Sequence, residues 1–157
     1  MFPNAKFQEE VAVLAAIDPQ SAGSGCSIST DWLPLANFNS VAAFAQIGAA
    51  LTGVGNVSFS ISVAQDATGT NAHVVKTTGN VTNGAEQVFI EVSNNDIAAN
   101  AAISALLASG DDYGFGYVQF TIAVTGETAL VSGLLLGVRP RSEGVSSYNA
   151  SSVVQVI

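Results

Sequence analysis

The chain has 157 residues, enough for one core in one domain, and only 10% of them are charged while 48% are apolar, so its surface must be covered largely by Ser, Thr, Asn, Gln and Gly. Twelve acidic residues against four basic ones give a formal net charge of −8, which repels phosphate and argues against nucleic acid as a partner. A single cysteine, Cys26, rules out an internal disulfide, and the longest weakly polar runs, 41–51 and 128–138, fall well short of the roughly 20 residues of a membrane helix, so no membrane role is expected.

Residues 1–10 carry Pro3, no strand or helix period, and no apolar stretch of the kind a signal peptide needs, so export by the general pathway is not expected. They read as an arm in which Phe2 and Phe7 are apolar anchors, ahead of a single β-domain spanning 11–157. Within that domain 11–17 and a short piece near 32–35 read as strands. Residues 38–51 form a longer one, apolar on both faces through Val41, Ala43, Phe44, Ala45 and Ile47, and so expected to lie centrally with both faces covered. Val57, Phe59, Ile61 and Val63 then alternate with Ser58, Ser60 and Ser62, the period of a strand with one face in a core and one toward water. The Gly and Asn residues between 51 and 57 suit a hairpin, which makes these last two strands an expected antiparallel pair.

Further on, 72–78 and 85–92 hold enough β-branched residues for two more strands. Apolar spacing turns helical over 95–109, where Asn94 or Asn95 can cap and Gly110 can end one short helix. Residues 115–125 and 129–138 are two long strands, read as a second hairpin about a tight Gly126-Glu127 turn. Val153, Val154, Val156 and Ile157 suit a final strand or a packed arm. Seven to nine strands at frequent turn spacing, with one helix, make the expected fold an all-β, two-sheet, jelly-roll-like sandwich.

Few residues offer chemistry. His73 is the lone histidine, so a nucleophile–histidine arrangement would have to use it, and zinc sites built on several His or Cys ligands are excluded. Asp111 and Asp112 are adjacent but lack the alternating acidic series of a calcium loop, and no phosphate-cradling glycine motif occurs. Carboxylate pairs drawn from Glu86, Glu91 and Glu127 are the sort any acidic β-protein offers. No catalytic residue, metal site or cofactor is therefore assigned. Arg139 and Arg141 flank Pro140 and hold half of the basic side chains, placed to form bidentate ion pairs with a neighbouring subunit or with carboxylates of their own chain.

The segment Ala64-Gln65-Asp66-Ala67-Thr68-Gly69-Thr70-Asn71-Ala72, following the strand at 57–63, resembles an A-x-D-A-x-G-x-x-A signature of small structural proteins of tailed bacteriophages. An upstream Trp segment, Thr30-Asp31-Trp32-Leu33-Pro34-Leu35, a Tyr-Val strand, Tyr117-Val118-Gln119-Phe120, and a late turn, Gly137-Val138-Arg139-Pro140-Arg141, are similar to theirs. The likeness is spread over residues 30–157 and departs at 95–109, where the family pattern is shorter. It implies a capsid decoration or cement protein, made in the host cytoplasm and placed on the outer surface of the virion. The implied partners are the major capsid protein and further copies of the chain, as a trimer, and many copies together would clamp the shell against internal pressure. A head-fibre base, head–tail or tail component is the neighbouring alternative. A carbohydrate-binding β-sandwich module and a small β-fold enzyme are alternatives of other classes.

Overall fold

Strand alternation decides the inner faces first. Val57, Phe59, Ile61 and Val63 have no exposed surface, and neither have Val118, Phe120, Ile122 and Val124, while the residues between them in each strand stay partly accessible. In the computed structural model, which describes residues 10–48, 55–82, 84–108 and 114–140, these two strands lie side by side and antiparallel. Nine strands are described: β1 (Val11–Ala22), β2 (Ser27–Ser29), β3 (Leu33–Pro34), β4 (Phe38–Ile47), β5 (Asn56–Ala64), β6 (His73–Thr77), β7 (Gln87–Ser93), β8 (Tyr117–Thr125) and β9 (Ala129–Pro140). Phe2, Phe7, Asp111, Asp112, Arg141 and the expected terminal strand at 153–157 lie outside the described residues.

The strands form two antiparallel sheets. One has the order β1-β9-β4-β7, the other β2-β8-β5-β6 with β3 also on β8. The pairings β1·β9, β2·β8, β4·β7 and β5·β6 nest within one another along the sequence, as in a long two-armed ribbon whose tip is the β5–β6 connection. Rolling that ribbon sets β9 against β4 and β8 against β5, and so closes it into two facing sheets. This is a jelly roll, the two-sheet architecture expected from the strand periodicity.

The rolling overturns both expected hairpins. β4 pairs with β7 and β9, whereas β5, its successor in the chain, sits in the other sheet with β6 and β8. β8 and β9 likewise belong to different sheets, so Gly126-Glu127 is a corner and not a hairpin turn. Glycine-rich links report that the chain reverses. They do not report whether the two arms share hydrogen bonds or cross the core to opposite layers.

The core lies between the sheets. The rings of Phe59 and Phe120 stack at a centroid distance of 6.4 Å, and that of Phe120 reaches across to β9 at Gly133, where an added Cβ would lie 2.7 Å from the ring. Glycine at 133 is therefore what lets the two layers approach there. β1, an edge strand, carries register shifts on either side of Ala15 to Ile17, the second spanning Asp18 and Pro19, because proline cannot donate a ladder hydrogen bond. The expected single helix is two: α1 (Asn94–Ala99) and α2 (Ala101–Ala108). Ser93, and not Asn94 or Asn95, caps α1 through a capping box with Asp96. Asn100 ends α1 and its Oδ1 accepts from the amides of Ala102 and Ile103, starting α2 and breaking the helix between them. Ile103 fixes the pair to the core with no exposed surface.

Candidate docking face

The two sheets turn unlike outer faces to the surroundings. On the β2-β8-β5-β6 sheet the outward positions include Ser58, Ser60 and Ser62 of β5, Gln119 and Thr121 of β8, and Ser27 and Ser29 of β2, with the hydroxyls of Ser29 and Thr121 2.8 Å apart, while Val74 of β6, 53% exposed, is its large exposed apolar side chain among the described residues. Hydroxyl and amide groups of this kind hydrogen-bond water readily.

Leucine and phenylalanine occupy the same positions on the other sheet. β9 places Val131, Gly133, Leu135 and Gly137 inward, so Leu130, Ser132, Leu134, Leu136 and Val138 point out. Its neighbours carry the pattern sideways. Ala16, Leu134, Phe44 and Phe89 form one row across four strands, and Val13, Leu136, Ala42 and Glu91 form the next. Phe89 is 62% exposed, Leu130 49% and Leu134 38%, while Phe44, Leu136, Val138 and Val13 are half-buried. Ala42 is shaded by its larger neighbours and is buried on this outer side.

Charge is scarce here. Among the residues of these four strands Asp18, Glu91 and Arg139 are the charged ones. The Glu91 carboxylate accepts a hydrogen bond from the Ser40 hydroxyl at 3.2 Å, and its backbone carbonyl accepts from Lys76 Nζ at 3.0 Å. Two open hollows indent the face. One of about 400 Å³ lies among Pro19, Gln46, Gln87, Leu130 and Ser132, and one of about 220 Å³ among Ala16, Asp18, Phe44 and Leu134.

Apolar residues on both phases of 38–51 imply a central strand covered on both sides, whereas 129–138 reads only as a long strand. β4 is central as expected, but Phe44, Leu130 and Leu134 face outward from the fold. A two-layer sandwich covers each sheet once, so apolar residues on the second phase remain at the surface unless another molecule or segment covers them. Sequence alone does not mark this face, because Leu130, Leu134 and Leu136 alternate with buried Val131 and Leu135, which are just as apolar.

Of the partner-binding residues expected from sequence, Arg139 is exposed at the end of β9 with φ +54°, and its carbonyl accepts from Asn39 Nδ2 at 2.9 Å. His73 packs edge-on against Phe115 at 5.9 Å, and Cys26 is exposed. Among the described residues no three side chains of His, Cys, Asp or Glu gather as a metal site would require. Asp66, in the β5–β6 loop, has its carboxylate held well below the usual range by the Thr70 and Thr68 side chains and by both their backbone amides. Its Oδ1 accepts from the Thr68 amide at 2.9 Å, the Thr68 hydroxyl at 2.7 Å and the Thr70 amide at 3.1 Å, which makes it the clasp of the β5–β6 loop.

No protein-family model matches the chain, and no curated protein does. Among solved structures it is similar to a chain in the structure of infectious bursal disease virus Gt strain, with a TM-score of 0.41 and 11% identity over 83% of this chain and 33% of that one. The chain thus spans about a third of the length of that neighbour.

Proposed function

We propose that this protein is a non-enzymatic structural component of a virus particle, a decoration protein that packs on the outside of an assembled capsid. The observation that carries the proposal is the outer face of the β1-β9-β4-β7 sheet, on which Phe89, Leu130 and Leu134 stand exposed with few charges around them. A protein that remained free in solution would gain solubility from charge at these positions, whereas one held in an assembly gains from burying them.

Three further features support the particle. The signature around Asp66 resembles that of small tailed-phage structural proteins, jelly rolls recur in capsid domains among others, and the net charge of −8 disfavours the DNA-filled interior. The fold alone leaves function open, which is why the face and the signature bear the weight. In this account residues 1–10 form an arm anchored by Phe2 and Phe7 on the shell, and Arg139 and Arg141 pair with carboxylates of a neighbour.

The test compares the full chain with one lacking residues 2–8, each mixed with undecorated tailed-phage capsids and followed by sedimentation and by capsid resistance to heat. Binding and added heat resistance by the full chain, reduced in the shortened one, are expected. Unchanged occupancy without the arm contradicts the role of Phe2 and Phe7, and no binding by the full chain contradicts decoration itself.

A further inference from the structure

We propose that the outer face of the β1-β9-β4-β7 sheet is where a second copy of this chain packs, sheet against sheet about a two-fold axis. This pairing makes the face a contact between copies within any assembly the protein joins, so it rests on the face alone and stands whether or not the protein is found on a capsid.

Area is the first reason. The four strands have 12, 12, 10 and 7 residues. At about 3.3 Å per residue and about 4.8 Å between strands they present roughly 650 Å². Two such faces together bury about 1,300 Å² before any loop contributes, which falls within the range of specific interfaces. An isologous contact needs no second surface, because the same patch serves both partners. The trimer implied by family resemblance would need two different surfaces meeting around a three-fold axis, and the face described here is a single one.

Relief is the second reason. Exposed Leu134 stands on the border of the hollow that it shares with Ala16 and Phe44, and exposed Leu130 on the border of the larger one beside Gln46 and Ser132. A projecting side chain beside a recess is the arrangement that a two-fold operation turns into knob and socket, with the two sheets about 10 Å apart. The third reason is charge. Acidic copies repel one another as whole molecules, yet the charged residues at this face are few, with Asp18 and Glu86 at the hollows, and Glu91 is already hydrogen-bonded by Ser40. Repulsion between acidic groups elsewhere is screened over about 8 Å at physiological ionic strength. An acidic partner would find only Arg139 of these strands to pair with, while a second copy offers the matching apolar surface.

Sedimentation equilibrium of the full chain across a wide concentration range tests the pairing, with Phe89→Ser, Leu134→Ser and a Val74→Ser control. Val74 is exposed on the opposite sheet, and all three sites are open enough for the fold to survive, which matching circular dichroism melts would verify. The expected result is a reversible dimer whose dissociation constant rises about tenfold or more in each face variant and not in the control. A chain that stays monomeric at every concentration overturns the proposal. So does one that pairs only after removal of 141–157, because that segment would then be the occupant of the face. Association that both face variants leave unchanged overturns it equally.

Discussion

The indole of Trp32 lies over Gly69, so close that a Cβ at 69 would sit 2.5 Å from its Nε1. Gly69 also holds φ at +83°, a backbone region that side chains of L-residues disfavour. The segment 64–72 therefore has a physical content in this chain. Asp66 clasps the loop, Gly69 turns it, and Trp32 from the segment before β3 closes over the turn. Two sequence features separated by β3, β4 and β5 are thus one structural unit.

Replacing Gly69 with Ala should cost about 2–4 kcal/mol, the backbone penalty of positive φ plus the clash with Trp32. Gly25, at φ +79° with open space around it, separates the two contributions. Gly25→Ala should lose only about 1–2 kcal/mol. Denaturant titrations of both variants, read by the fluorescence of the sole tryptophan, check the order. Equal losses would show that Trp32 does not press on residue 69.

Strand phase is tested by neighbours in β5. Phe59 has no exposed surface and stacks on Phe120, so Phe59→Ser should cost about 3 kcal/mol or more and unfold or aggregate the protein. Ser60 points to the opposite, partly exposed face, and Ser60→Ala should change the melting temperature little. Similar losses from the two substitutions would contradict the alternation.

The break between the helices depends on one side chain. Asn100 accepts from the Ala102 and Ile103 amides through Oδ1 and donates to the Val74 carbonyl through Nδ2 at 3.1 Å, tying the helices to β6. Asn100→Ala should cost about 1–2 kcal/mol by loss of that cap, measured by thermal or chemical unfolding. No loss would mean that Ile103 alone holds the segment in place.

Acid should loosen the β5–β6 loop. The folded-state carboxylate of Asp66 titrates well below its ordinary value of 3.8, so its hydrogen bonds stabilise the fold fully above that value and are lost as the pH falls beneath it. Asp66→Asn keeps one acceptor oxygen without the charge. The melting temperature of the native chain should exceed that of the variant near neutral pH, and the gap should narrow progressively as the pH falls below about 4. A gap that does not change with pH would place the effect elsewhere than in the carboxylate.

Much of this fold can be read from residue order where one strand face is buried and the other is wet. The alternations 57–63 and 118–124 reveal both β5 and β8 for that reason, because each lays one face in the core. β2 escapes notice, since three residues with one apolar side chain, Ile28, show no period. Pairing partners escape it too. β4 is bonded to β7 and β9, far along the chain, and nothing local in 38–47 names them. The candidate face was hidden by its composition, since Leu130 and Leu134 look like core residues in sequence and only the count of layers in the fold puts them outside.

Location on a particle tests the central claim most directly. Virus particles produced by the source of this chain, imaged by cryo-electron microscopy, should show the two-sheet jelly roll repeated over the outer surface of the shell, with the β1-β9-β4-β7 face buried in contacts. Density confined to a tail or a single vertex would assign the protein to a head–tail or fibre component instead. Particles that lack the chain altogether, with the protein found free and its Phe89 and Leu134 face open to solvent, would contradict the account.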